Sequence, residues 1–514
     1  MEELLRELRE RRKRALEGGG REKIERQRAK GKLLARERIE LLVDPGSFEE
    51  LEWLTTHHAT TFGLDKQKYY GDGVVVGYGR VDGRLVYIFS QDFTVMGGSI
   101  GLSHARKIAR IIRMALQVGV PVIGIFDSGG ARIQEGIAAL HGVGEIFSAI
   151  IDASGVIPQI ALMAGPCAGG AAYAPALMDF VVVVDKISYM FVTGPDVVKQ
   201  VTGEEVSFEQ LGGAQVHSSI SGVAHFRAEN EEAAIATVKR LLSYLPDNYL
   251  ATPPIIETGD PPEREDAELE AIVPTDPMKP YDMREVLMRV FDRDSLLEVQ
   301  AEWGMSIITA FARLAGYPVC IVANQPAYQA GAIDYNAAVK AARFIRFCDA
   351  FNLPLIMFVD VPGYMPGVEQ EHGGIIRHGA KMLYAYKEAT VPKITVIVRK
   401  AYGGAYIAMG SKSLGADIVY AWPTAEIAVL GPEAAVRIIY RRELAKKENP
   451  EEEVKKLATE YRRVFANPYY AAEYGLIDDV IEPRKTRYKL YQALQALLPK
   501  REQRFEKKHG NIPL

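Results

Sequence analysis

The stretch Arg399–Gly410, RKAYGGAYIAMG, decides the fold. It follows the apolar run Ile394–Val398, which reads as a buried strand. Gly403, Gly404 and Ala405 then open a helix. Three small residues at that place leave backbone N–H groups uncovered, and uncovered N–H groups at a helix start can cradle a negative oxygen. A single Gly pair of this kind is more often a tight turn that lets a helix pack closely, so the argument rests on its recurrence. Ile160–Pro175, IALMAGPCAGGAAYAP, is again strand, small residues, helix start.

The surroundings recur as well. FDSGG places Asp127 42 residues before Gly169, and VDVPG places Asp360 43 residues before Gly403. Asp179 and Asp417 then lead into further apolar strands. Thr193-Gly194-Pro195-Asp196 and Leu430-Gly431-Pro432-Glu433 follow, with their glycines 15 and 14 residues beyond those aspartates. Four landmarks in one order with near-equal gaps indicate a duplicated domain.

Length and composition agree. A chain of 514 residues is too long for one core and natural for two large domains. Apolar residues make up 48% and charged residues 25%, the balance of a globular protein. A net charge of −4 gives no general pull toward nucleic acid or anionic membrane. No run is long enough to span a bilayer, and MEELLRELRERRKR lacks an apolar signal core, so direct membrane insertion is not expected and a cytoplasmic location is. Cys167, Cys320 and Cys348 have no metal-ligand spacing and read as three buried free thiols; no metal site is expected.

In chain order, residues 1 to about 45 read as helices broken at Gly18-Gly19-Gly20 and near Gly31. Residues 1–40 carry 14 Lys/Arg against 9 Asp/Glu, which reads as a solvated helical face or as a contact for a phosphorylated ligand. Residues 70–96 read as antiparallel strands with a hairpin at VDGR. Strands and helices alternate thereafter, an α/β layout. Residues 246–280, with eight prolines, read as the connector between domains placed at 1–252 and 253–514.

No GxSxG elbow, HExxH helix or GxxxxGK[ST] loop is present. His57 and His58 read as surface histidines. Asp127 and Asp360 stand where catalytic acids often do, but each precedes a Gly turn and reads as a cap for backbone amides. The chemistry on offer is therefore two backbone oxyanion sites without a side-chain nucleophile, which suits stabilisation of an enolate.

FDSGGARIQEG, MAGPCAGGAAYAPA, FVTGPDVVK, SGVAH, FVDVPGYMPGVEQE, RKAYGGAYIAMGSKSLGAD and AWPTAEIAVLGPE, with KGKLLARERIELLVDPGSF near the start, together closely resemble the carboxyltransferase subunits of biotin-dependent acyl-CoA carboxylases. That group includes the propionyl-CoA carboxylase β subunit, the transcarboxylase central subunit and the methylmalonyl-CoA decarboxylase α subunit. The resemblance implies two crotonase-like domains per chain, arising by duplication. It implies a homohexamer, a trimer of dimers, in which the N-domain of one copy faces the C-domain of another. Carried over by motif, the amides of Gly169 and Gly170 would hold the acyl-CoA thioester enolate on the N-terminal side. Those of Gly404 and Ala405 would hold the ureido oxygen of biotin on the C-terminal side. Ala131, Arg132, Tyr406 and Ile407 would be substrate-binding, with Arg132 and Lys30 as candidates for phosphate contacts. In the family's mechanism carboxybiotin releases CO2, the ureido nitrogen takes the α-proton, and the enolate attacks CO2.

Two departures stand out. Ile407 occupies a position that is Asp in familiar propionyl-CoA carboxylases and lines the acyl pocket in the family; GGAYIAM is closer to the decarboxylase branch. Nothing resembles the Ala-Met-Lys-Met biotin acceptor, since Met278-Lys279 lies between prolines, and no ATP-binding module is evident. The implied partners are a separate biotin carrier protein and either a biotin carboxylase subunit or a membrane decarboxylase subunit of a sodium-pumping complex. Two other readings use the same sequence: a crotonase-type enoyl-CoA hydratase or isomerase, which needs a carboxylate pair near one Gly turn, and a non-catalytic scaffold for the carrier.

Overall fold

A computed structural model describes residues 1–514. The chain forms two compact units, Met1–Ala251 and Thr252–Leu514. Each is built on one eight-stranded sheet.

The first sheet holds β1 (Glu49–Leu51), β2 (Val74–Val81), β3 (Arg84–Gln91), β4 (Val122–Ser128), β5 (Gln159–Ala168), β6 (Phe180–Val184), β7 (Tyr189–Phe191) and β8 (Phe226–Ala228). The second holds β9 (Leu297–Val299), β10 (Ile307–Leu314), β11 (Tyr317–Asn324), β12 (Leu355–Val361), β13 (Lys393–Tyr402), β14 (Ile418–Ala421), β15 (Glu426–Ala428) and β16 (Asp479–Val480). The order β1-β2-β3-β4-β5-β6-β8, with β7 beside β5, is matched by β9-β10-β11-β12-β13-β14-β16, with β15 beside β13. In each sheet the first three strands pair antiparallel and the rest parallel. Two sheets with one topology are the α/β duplication that the recurrent landmarks imply.

The local chemistry repeats with the topology. The β2–β3 hairpin turns on Asp82 (φ 48°) and Gly83 (φ 79°), and the β10–β11 hairpin on Ala315 (φ 49°) and Gly316 (φ 85°). Two consecutive positive φ values define the turn that matches the twist of paired strands. β4 and β12 are buried along their whole length, as parallel strands covered on both faces must be. The helix Leu102–Val118 turns His104, Ala105, Ile108, Ile111, Ile112 and Ala115 into the first core. The helix Tyr335–Ala350 plays the same part in the second unit, with Ala338, Ala341, Phe344, Ile345 and Cys348 buried.

Two expectations are corrected. Cys320 on β11 and Cys348 on the Tyr335–Ala350 helix form a disulfide with a Cα separation of 6.4 Å, leaving Cys167 as the one free thiol. A separation of 28 residues hides this pairing in the sequence; the helix packing over its own sheet creates it. His57 is buried rather than on the surface, its Nε2 lying 2.6 Å from the Gln67 carbonyl; His58 is exposed. The proline-rich segment, read as the connector, is fastened to the second unit. Arg313 donates to the Pro254 carbonyl, Arg487 to those of Asp260 and Pro261, and Arg399 to those of Pro274, Asp276 and Lys279.

The helices Glu2–Leu16, Arg21–Ala29 and Ala35–Leu42 cover the first unit. Glycines 18–20 let the chain touch it closely: a Cβ on Gly19 would lie 1.8 Å from the Thr94 carbonyl oxygen. No helix is long and apolar enough to cross a membrane. No group of three His, Cys, Asp or Glu side chains is placed to hold a metal.

Candidate active site

Both glycine turns lie at the carboxyl end of the longest strand of their sheets. β5 leads through Gly169 (φ 62°, ψ −133°) into the helix Gly170–Leu177. That conformation is closed to a residue with a side chain. A Cβ on Gly170 would meet Val143 Cγ1 at 2.9 Å. β13 leads into the helix Gly403–Ala408, with Gly403 at φ 60°. A Cβ on Gly403 would come within 3.2 Å of the Val429 carbonyl, whereas Gly404 is exposed and a Cβ there would meet nothing within 4 Å. First-turn N–H groups have no acceptor inside their own helix. Those of Gly170, Gly404 and Ala405 stand in such first turns. The Gly169 N–H does not qualify, because it donates to the Phe191 carbonyl at 3.2 Å and closes the β5–β7 ladder.

A second loop meets each sheet beside its turn. Gly130 (φ 98°) is so close that a Cβ would lie 2.8 Å from the Ala168 carbonyl, the last of β5. Ile100 and Ala131 form an isolated bridge, with the Ile100 N–H on the Gly130 carbonyl and the Arg132 N–H on the Ile100 carbonyl. The second unit repeats this: the Ile333 N–H reaches the Gly363 carbonyl, and the Met365 N–H reaches the Ile333 carbonyl. Ile333 therefore bridges Tyr364, the counterpart of Ala131. Sequence reasoning missed Tyr364. The signal was available, since FDSGGA and VDVPGY align residue for residue from the aspartates.

Arg132 does not offer its charge to a ligand. It is fully buried, donating to Asp72 at 2.7 Å, to Glu135 at 2.9 Å and to the Ser99 carbonyl at 2.8 Å. Burial pushes the Asp72 carboxyl above its ordinary range, opposed by Arg132. The second Glu135 oxygen accepts the Leu102 N–H. Arg132 thus holds the Ala131 loop against the start of the Leu102–Val118 helix.

Asp127 and Asp360 sit at the same irregularity, where pairing slips between Phe126 and Ser128 and between Val359 and Val361. Each donates its own N–H to the side-chain oxygen ending the neighbouring strand, Gln91 or Asn324. The amide-cap reading is corrected for Asp127, which is held by Lys32 at 2.7 Å and Arg38 at 3.0 Å. Arg38 also binds Glu231 at 2.6 Å and the Ala164 carbonyl. Asp360 accepts the Lys400 N–H at 3.1 Å, but in addition Arg399 and the Tyr281 hydroxyl, both at 2.9 Å. Both carboxylates are completely buried and saturated with donors, an arrangement that fixes the bulged strands and leaves neither of the two free for proton transfer.

Within the first unit a cavity of about 930 Å³ lies beside β5, lined by Lys23, Arg26, Lys30, Lys32, Phe93 and Tyr189. Lys32 lies over the Phe93 ring at 4.7 Å, its ammonium pushed below the ordinary lysine range by burial and supported by Asp127. In the second unit Tyr406 is half-buried and Ile407 is 40% exposed beside the Gly turn.

The carboxyl transferase domain family matches residues 26–512. The propionyl-CoA carboxylase carboxyltransferase subunit of Haloferax mediterranei is 56% identical over 514 residues, covering 100% of both chains. The chain belongs to the biotin-dependent acyl-CoA carboxyltransferase family. Another relative is the methylmalonyl-CoA decarboxylase subunit alpha of Veillonella parvula, 55% identical over 497 residues, with 97% of this chain and 96% of that one covered. Among solved structures, the transcarboxylase 12S hexamer with methylmalonyl-coenzyme A and methylmalonic acid bound superposes with a TM-score of 0.97. It is 50% identical and covers 100% of this chain and 98% of that one. The two-unit, parallel-rich architecture of this carboxyltransferase is thus the crotonase-like one of its relatives.

Proposed function

We propose that the protein moves a carboxyl group between biotin on a separate carrier protein and the α-carbon of a short acyl-CoA, of the propionyl-CoA/methylmalonyl-CoA kind. The observation that carries this reading is the pair of strand-to-helix Gly turns with first-turn N–H groups, one of them facing the open space at Gly404. The Gly170 N–H, with the Ala131 N–H as a second donor, would receive the thioester oxygen as its charge develops during loss of the α-proton. Two preorganised donors aimed at a developing oxyanion are the largest single term in many enzymes. The Gly404 and Ala405 N–H groups would hold the ureido oxygen of biotin. When bound, biotin carries the carboxyl group and supplies the nitrogen base, which fits a site whose two strand-end carboxylates, Asp127 and Asp360, are buried in ion pairs.

The cavity beside β5 suits the coenzyme A portion. Its lysines and arginine can meet phosphates, and Phe93 and Tyr189 supply flat apolar surface. Of the two phosphate candidates, Lys30 lines this cavity and Arg132 does not. Ile407 would face the acyl group, and its apolar side chain favours a propionyl-sized over a more polar acyl environment. A hexamer would bring the first unit of one copy to the second unit of another. Ile133 (87% exposed) and Val429 (77% exposed) stand near the two turns and would be covered by such a partner surface. The biotin carrier, with a biotin carboxylase or membrane decarboxylase subunit, would complete the system. The test is transfer from methylmalonyl-CoA to free biotin by the purified protein, together with its mass by light scattering. A folded hexamer without transfer would defeat the proposal, and enoyl-CoA hydration in its place would favour the hydratase alternative.

A further inference from the structure

The second Gly turn is tied to a 15-residue outer helix, where the first unit has helices of eight residues or fewer between β7 and β8. Tyr402 is the last residue of β13 and immediately precedes Gly403. Its ring is buried, and its hydroxyl donates to Glu426 Oε2 at 2.5 Å. Glu426 opens β15, which runs beside the end of β13 in the register Lys400↔Glu426, Ala401↔Ile427, Tyr402↔Ala428. The other carboxylate oxygen, Oε1, accepts Arg462 Nε at 2.7 Å, and Arg462 Nη2 reaches Glu433 at 3.0 Å. Arg462 belongs to the helix Pro450–Val464, and Glu433 to the helix Pro432–Ile439. These helices and the short helix Arg441–Leu444 between them share a small core of their own, Val436, Leu444, Val454 and Ala458. The loop between Glu426 and Gly431 lies along the turn, since a Cβ on Gly403 would meet the Val429 carbonyl and one on Gly431 the Tyr402 ring at 3.3 Å.

The first unit makes its outward contact at this place differently. In the first unit the register Pro166↔Tyr189, Ala168↔Phe191 puts Ala168 where Tyr402 stands and Tyr189 where Glu426 stands. There Tyr189, not the residue before the Gly turn, makes the outward bond: its hydroxyl donates to Glu209 of the five-residue helix Phe208–Gly212 at 3.0 Å, and Ala168 has no side chain that could join it. We propose that Tyr402, Glu426 and Arg462 are positioning residues that brace the Gly404–Ala405 donors against the outer helical hairpin, and so set the efficiency of the biotin half-reaction alone. The proposal rests on the transfer reading given above. None of the three touches the reacting atoms; Tyr402 acts through the backbone that it begins. Burial and Glu426 hold the phenol well above the ordinary tyrosine range, so it remains a donor.

The test uses the full-length protein carrying Tyr402→Phe, Glu426→Gln or Arg462→Ala. Tyr402→Phe keeps the ring against Gly431 and removes the hydroxyl alone. Transfer to free biotin is measured against biotin and methylmalonyl-CoA concentration, alongside hydrogen exchange of peptides covering 399–410 and 166–177. The expected result is a loss of about tenfold in kcat/KM for biotin, an unchanged KM for methylmalonyl-CoA, and faster exchange confined to 399–410. Arg462→Lys, which keeps one donor, should fall between wild type and Arg462→Ala. Wild-type biotin kinetics and exchange in Tyr402→Phe would overturn the proposal. So would equal losses for both substrates with faster exchange throughout, because that marks a general structural role. If the wild type itself transfers nothing, the transfer reading fails, and the exchange pattern alone still judges the brace.

Discussion

Adding one methyl group at Gly404 separates the chemistry of the second turn from its folding. Gly404 lies outside the left-handed region, in contrast to Gly403, and a Cβ there meets nothing within 4 Å. Gly404→Ala therefore strains nothing. Removing a glycine from a helix stabilises by up to about 1 kcal/mol, less in the first turn than in the interior. Yet the added group occupies the space in front of the donors. Loss of one oxyanion donor costs roughly 10²- to 10³-fold in kcat, about 2.7–4 kcal/mol. Gly404→Val should reach that range and Gly404→Ala a part of it, with urea-unfolding midpoints at or above wild type. Gly169→Ala is the opposite case. Its φ of 62° and ψ of −133° cost a side-chain-bearing residue about 1–3 kcal/mol, so stability and activity should fall together. The assay is the initial rate of carboxyl transfer beside urea denaturation of each variant. Wild-type kcat in a stable Gly404→Val hexamer would refute the reasoning, because the space would then be empty for no catalytic purpose.

Arg38→Met leaves Asp127 and Glu231 buried with one cation fewer, and removing one partner of a buried pair costs about 3–5 kcal/mol, read as a lower urea midpoint. The Cys320–Cys348 bridge closes a 28-residue separation, so reductant present during unfolding should lower stability by about 3.5 kcal/mol on the chain-entropy account, and by the same amount in a Cys167→Ala control, which keeps the bridge. Burial lowers Lys107 to about 8, against 10.5 in an unfolded chain, while its ammonium reaches the Gly71 and Val74 carbonyls. The unfolded chain then binds more protons between those values, so this group makes stability rise from pH 8 toward pH 10.5, and Lys107→Met should flatten that part of the profile. Ile407→Asp should change the ratio of kcat/KM between acetyl- and propionyl-CoA by about 10- to 200-fold if the residue lines the acyl pocket; an unchanged ratio would remove it from that role.

The sequence by itself determined the duplication, the alternating strands and helices and the two Gly turns. These depend on local chemistry: apolar runs that demand burial, glycines that accept positive φ without steric cost, and landmarks at repeated spacing. Tertiary structure decided what those residues touch. Arg132 looked available for a phosphate until the fold placed Asp72 beside it, 60 residues away in the chain. Asp127 looked like an amide cap until Lys32 and Arg38 arrived from the N-terminal helical segment, and Gly169 lost its N–H to a strand that begins at Tyr189. The disulfide and the Tyr402–Glu426–Arg462 brace were hidden for the same reason. Each joins residues 24 to 36 or 28 positions apart, and only the packing of helix on sheet and strand on strand brings such pairs within bonding distance.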